Sequence, residues 1–190
     1  MHARAIQKAR AALTRAEQSL AALKASNDFP SIETHWEAFL DNASKIFTRL
    51  EQAANATTKG SAWWGSQVHQ WKTDPLLLYI RQARDATHHS IQEVAQTNPG
   101  RATPIENPSP EELAHVHKEA QKVGLPYAIL GGFEVVWPHV ECLEVTNKGT
   151  TFPTPISHMG KPVTVTTPAG IGDLALAHLA KMIRDTESLG

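Results

Sequence analysis

Arg81, Arg84, His88 and His89 are the residues of this chain whose types and spacing suit chemistry. Arg81, Arg84 and His88 stand at i, i+3 and i+7, so a helix lines up two guanidiniums and an imidazole on one stripe. Such a stripe can bind an anion. A guanidinium is always charged and offers a planar fork of donors, while an imidazole titrates near neutrality and can take or give a proton. Cleavage of RNA without a metal asks for a base at the 2′-hydroxyl, a proton donor at the leaving oxygen and positive charge beside the phosphate. One Arg/His pair supplies too little, so two copies of the chain would have to bring two pairs together. The competing reading is a solvated helix face, with Asp85 and Glu93 compensating the arginines and histidines.

The element that must position these residues starts at Thr73-Asp74-Pro75. Asp74 can cap exposed amides, and Pro75 suits the first helical position, where its missing N–H costs nothing. Leu76, Ile80, Ala83, the methyl of Thr87, Ile91 and Val94 recur at steps of three and four and predict one buried face through Val94.

Arg84-Asp85-Ala86-Thr87-His88-His89 resembles the Arg-x(4–6)-His signature of HEPN domains, and Arg81 with His88 gives a longer version of the same spacing. HEPN domains are small helical bundles that include RNA-cleaving toxins and defence nucleases, and also members without catalysis. The resemblance covers about the first half of the chain. It implies a metal-independent RNA endonuclease in which Arg84, His89, His88 and Arg81 act at a dimer interface, with no cofactor. The doubled histidine leaves open which imidazole acts. The alternative is a non-catalytic helical module that dimerises or binds a partner protein.

A net charge of −1 supplies no global field for nucleic acid or an acidic membrane, so any RNA contact must come from a local cluster. Cys142 is the single cysteine, which excludes an intrachain disulfide and reads as a free buried thiol in a reducing compartment. Met1-His2-Ala3-Arg4 leads straight into an amphipathic helix, and no apolar run approaches the roughly 18 residues of a membrane span, so the expectation is a cytoplasmic protein with no membrane partner. The ten histidines invite a metal, but His88 and His89 diverge by about 100° on a helix and His115 and His117 by about 200°, so neither pair chelates one ion. His158 sits in a loop and reads as a hydrogen-bonded turn or the lining of a cleft.

The organisation read from the sequence is α+β, mainly α: an antiparallel helical bundle over 1–97, a Pro-rich linker and short helix over 98–125, and a small antiparallel sheet with a C-terminal helix over 126–190, packed on the bundle. The first helix has its seam at Ile6, Ala9, Leu13, Ala16, Leu20 and Leu23 and ends near Ser26. Ser31 is expected to cap a second helix with seam Ile32, Trp36, Phe39, Ala43, Ile46, Leu50 and Ala53, stopping at Lys59-Gly60. Trp63, Trp64, Val68 and Trp71 predict a short helix or turn, either a base-stacking platform or packing bulk. Breakers make residues 97–110 a surface linker, and Ser109-Pro110 opens a helix through Val123 with Leu113, Val116 and Ala120 inward. Gly131-Gly132 permits a bend. Strands are expected at 128–137, 140–146 and 150–152 around an Asn147-Lys148-Gly149 turn, with another at 163–166. The last helix starts near Gly170 and buries Ile171, Leu174, Ala175, Leu179, Met182 and Ile183.

Overall fold

The computed structural model describes residues 2–89, 93–104, 109–111, 114, 127–130 and 133–189. The fold is α+β and mainly α. Helices α1 (Ala3–Ala25) and α2 (Phe29–Ala54) form an antiparallel hairpin, followed by α3 (Thr58–Thr73) and α4 (Pro75–His89), and the chain closes with α5 (Pro168–Ser188). Among the described residues, nine short strands lie between α4 and α5: β1 (Ala95–Asn98), β2 (Arg101–Pro104), β3 (Tyr127–Leu130), β4 (Phe133–Val136), β5 (His139–Cys142), β6 (Val145–Asn147), β7 (Thr150–Phe152), β8 (Ser157–His158) and β9 (Lys161–Pro162). They make small antiparallel sheets: β1–β5, β2–β4–β3, β6–β7 and β8–β9.

Apolar periodicity builds the core. Leu20, Leu23, Trp36, Phe39, Leu40, Ile46, Leu50, Leu76, Ile80, Ile171, Leu179 and Ile183 belong to one buried cluster spanning α1, α2, α4 and α5. The C-terminal helix therefore completes the core of the hairpin. Its approach to α1 is close at Gly172, where a Cβ would stand 2.7 Å from Leu20 Cδ1. Among the described residues, no helix is long and apolar enough to cross a membrane.

Local signals explain most helix ends. Asp74 caps α4 by accepting from the Leu77 N–H at 3.1 Å, and Thr167 caps α5 at the Gly170 N–H, two residues earlier than the expected start. For α2 the cap is Asp28, which accepts from Ser31 N–H at 2.9 Å, and not Ser31 itself; Pro30 is accommodated in the first turn. The expected stop at Lys59-Gly60 is instead the first turn of α3, entered because a bare Gly60 Cα can approach the Ala54 carbonyl, which a Cβ would meet at 2.3 Å. The tryptophan segment is a full helix. Trp64 and Trp71 are buried against Phe47, with ring centroids 4.5 and 4.1 Å apart, so their faces pack in the core and are not a stacking platform.

In α1 the expected seam is buried at Ala9, Ala16, Leu20 and Leu23, whereas Ala5 and Ala12 take the buried places beside Ile6 and Leu13, which are half-buried at its edge. Small residues there allow α1 to lie close on α2. The expected linker takes in the end of β1 and all of β2, whose partners β5 and β4 lie far along the chain. The anticipated strand at 163–166 does not form as a regular strand, although the Val163 N–H donates to the Ile156 carbonyl at 2.9 Å and the Thr166 carbonyl accepts from the Cys142 N–H at 2.8 Å; the hairpin forms just before it, at β8–β9. Asn147-Lys148-Gly149 does turn the β6–β7 hairpin, with positive φ at Lys148 and Gly149. α4 is described as far as His89, residues 90–92 lie outside the described residues, and Val94 is buried on a bend ahead of β1. Ile91, the 112–123 helix interior apart from Ala114, and the Gly131-Gly132 bend lie outside the described residues, as do His115 and His117.

Candidate anion-binding groove

Helices α2, α3 and α4 enclose a groove of about 360 Å³ lined by Ser44, Thr48, Glu51, Phe47, Trp71, Lys72, Ile80, Arg81, Arg84 and Asp85 among others. Its floor is apolar, because Phe47 and Trp71 stack there and Ile80 is buried. The walls are charged. Arg81 is exposed, and the Arg84 side chain is about one-third exposed at 30 %. Helical spacing brings both arginines to one wall, as expected from i and i+3.

Arg84 is held on two sides. Its Nη1 donates to Asp85 Oδ1 at 3.1 Å, and its Nε lies 3.5 Å from Asp41 Oδ1 on α2. That buried Nε makes no hydrogen bond. Two partly exposed carboxylates thus orient the guanidinium and balance its charge, at a modest gain for each pair in such a wet setting. Asp85 is the compensating residue foreseen in the sequence; Asp41, on another helix, was not. His88 and His89 end α4, with His88 four residues beyond Arg84, and their side chains lie outside the described residues.

A second constellation was not foreseen as a unit. Asp74 is 8 % exposed and serves three donors. Besides capping Leu77, it takes His158 Nδ1 at 2.9 Å and the Met159 N–H at 2.6 Å. Burial alone pushes the Asp74 carboxyl up, but the hydrogen bonds from Met159, His158 and Leu77 outweigh it and hold the carboxyl below its ordinary value. The His158 ring meets the His178 ring edge-on, with centroids 5.1 Å apart. His178 is buried on α5, and its Nε2 has no hydrogen-bond partner. Burial first, then the neighbouring His158 and Lys181, push its pKa down to about 4, against the pull of Asp74 and Asp185. His158 is therefore hydrogen-bonded as expected, but it stands in strand β8, paired with Lys161 beside the turn, and not in a loop.

Cys142 is a buried free thiol, and burial pushes its pKa up to about 12. Among the described residues, no group of three or more His, Cys, Asp or Glu side chains is arranged to hold a metal ion.

The fold and groove define a mainly helical α+β protein with an arginine-lined cleft between three of its helices. No protein-family model, curated protein or solved structure shows significant similarity to this chain.

Proposed function

We propose that the chain is a metal-independent RNA endonuclease of HEPN type whose site is completed by a second copy. What supports the reading above all is the position of Arg84. It stands in a groove beside Arg81 and Lys72, at the end of α4 that leads into His88-His89. In this reading Arg84 steadies the scissile phosphate, because a guanidinium matches two phosphate oxygens at once. His89, with His88 as the substitute, removes the 2′-hydroxyl proton; the 2′-oxygen attacks phosphorus, and the P–O5′ bond breaks. An imidazole from the second copy protonates the departing 5′-oxygen, leaving a 2′,3′-cyclic phosphate and a 5′-hydroxyl.

The test is cleavage of RNA in EDTA, with molar mass followed by light scattering. Wild type should be a dimer and cut. Arg84→Ala, and His88→Ala with His89→Ala, should abolish cutting while leaving the dimer intact. Cleavage that survives both changes would place the activity elsewhere.

One observation favours the second reading, a non-catalytic helical module. Arg84 is compensated by Asp41 and Asp85, as a structural ion-pair residue would be. A wild type that cuts no RNA, together with Arg84→Ala that weakens only stability, would select it.

A further inference from the structure

The α1–α2 hairpin carries its charges sorted onto two sides. Toward α5, Arg10 pairs with Glu187 and Lys24 with Asp173. At about 100° per residue, Arg4, Lys8 and Arg15 fall within about 40° of one another on the other flank of α1, while Glu17 falls beside Arg10. All three cations are exposed. Arg4 and Lys8, with His2 and Gln52, line a cleft between α1 and α2. Gln52 accepts from Arg49 Nη1 at 2.9 Å, and Lys45 is exposed one turn earlier on α2. Among the described residues, none of Arg4, Lys8, Arg15, Lys45 and Arg49 has a carboxylate partner.

Five cations without an ion-pair partner among the described residues, against Asp41 one turn before Lys45 and Glu51 in the groove lining, leave a locally basic surface on a molecule of net charge −1. It borders the groove around α2. Lys45 and Arg49 lie about 100° around that helix from Ser44 and Thr48, which line the groove that holds Arg84 together with Glu51. The cations thus form a track from α1 across α2 to the candidate site.

We propose that this track binds the phosphate backbone of the RNA strand whose scissile segment enters the Arg81/Arg84 groove. The choice of RNA rests on the function proposed above, while the anionic, extended nature of the ligand rests on the charge pattern. An anionic membrane is disfavoured because the other positions on that flank of α1, Ala11, Gln18 and Ala22, lack the large apolar side chains that insert at a lipid interface. Backbone contacts by lysine and arginine position a strand without reading its sequence.

The test is fluorescence anisotropy of a labelled single-stranded RNA, titrated over a range of salt. Arg4→Gln/Lys8→Gln is compared with the charge-matched control Lys148→Gln/Lys161→Gln, which changes exposed residues of the hairpins. All four positions are exposed, so folding is retained. Removing two phosphate contacts should weaken binding about twentyfold at about 0.1 M salt and flatten the slope of log K against log salt by about 1.4, with the control unchanged. Equal binding by both variants would overturn the proposal. So would a wild type that binds anionic vesicles or an acidic protein but no RNA. Selective loss of binding in a protein that never cuts would uphold the track and refute the endonuclease, whereas Arg84→Ala that binds but does not cut would uphold both.

Discussion

His158 Nδ1 lies 2.9 Å from Asp74 Oδ1, joining the β8–β9 hairpin to the first turn of α4 across 84 residues of sequence. The same carboxylate takes the Met159 N–H, at a residue whose φ of 49° is unusual for a side chain other than glycine. One buried carboxylate therefore caps a helix and fastens a hairpin in a left-handed turn. Asp74→Ala should destabilise the protein by about 2–4 kcal/mol, because it removes a cap and leaves donors unpaired. Asp74→Asn keeps the cap and should cost less. Urea unfolding of the two variants checks this; equal losses would show that the cap contributes little.

His178 makes stability depend on pH. Its folded pKa of about 4 lies below its ordinary 6.5, so between these values the unfolded chain binds the extra proton and stability must rise with pH. The neutral buried imidazole is fully tolerated above 6.5, and stability falls as pH drops toward 4. A loss of about 2 kcal/mol is expected by about pH 5. Asp74 does not contribute in this window: its depressed pKa means that its stabilisation is lost only as pH falls through that lower value. The groups around His178 are His158, Asp74, Lys181 and Asp185. Unfolding midpoints measured across this range should slope for wild type and flatten for His178→Leu; parallel slopes would reject the assignment.

Cys142 is buried in β5, paired with Ala95 of β1, and Tyr79 beside it donates its hydroxyl to the Leu143 carbonyl at 2.7 Å. A thiol with its pKa pushed up to about 12 by burial is not a nucleophile at neutral pH. Thiol labelling of the native protein should follow global unfolding, its rate rising with urea along the unfolding curve. Rapid labelling without urea would show that the β1–β5 pair opens locally.

What was legible in the sequence was local. Asp74-Pro75 marked the start of α4, Asn147-Lys148-Gly149 marked a hairpin, and the α5 stripe matched its buried face except that Leu174 is half-buried. The misses arose where two local signals compete or where the partner is remote. Asp28 and Ser31 are both good caps flanking Pro30, and only the chain's direction into α2 selects Asp28. Residues 97–104 look like a linker because Pro99 and Gly100 break them, yet β1 and β2 gain their hydrogen bonds from β5 and β4. Arg81 and Arg84 were found from helical spacing, but Asp41 is on another helix. The His158–Asp74 contact likewise joins two segments that no periodicity links.

The pairing of Arg84 with Asp41 leads to the prediction that best separates the two functional readings. Both side chains are about one-third exposed, at 30 % and 32 %, so the pair contributes little to stability and Asp41→Asn should shift the unfolding free energy by less than about 1 kcal/mol. If Arg84 meets a phosphate, Asp41 competes with the phosphate for the guanidinium while holding it in place. Neutralising Asp41 removes a negative charge from beside the incoming phosphate, so RNA affinity should rise by about twofold to tenfold. The freed guanidinium is less well oriented, so the cleavage rate of bound RNA should fall. Anisotropy titration and single-turnover cleavage measure the two effects separately. Opposite changes in affinity and rate support a phosphate-binding Arg84. A variant that alters neither, with only the small stability change, identifies the pair as part of the scaffold.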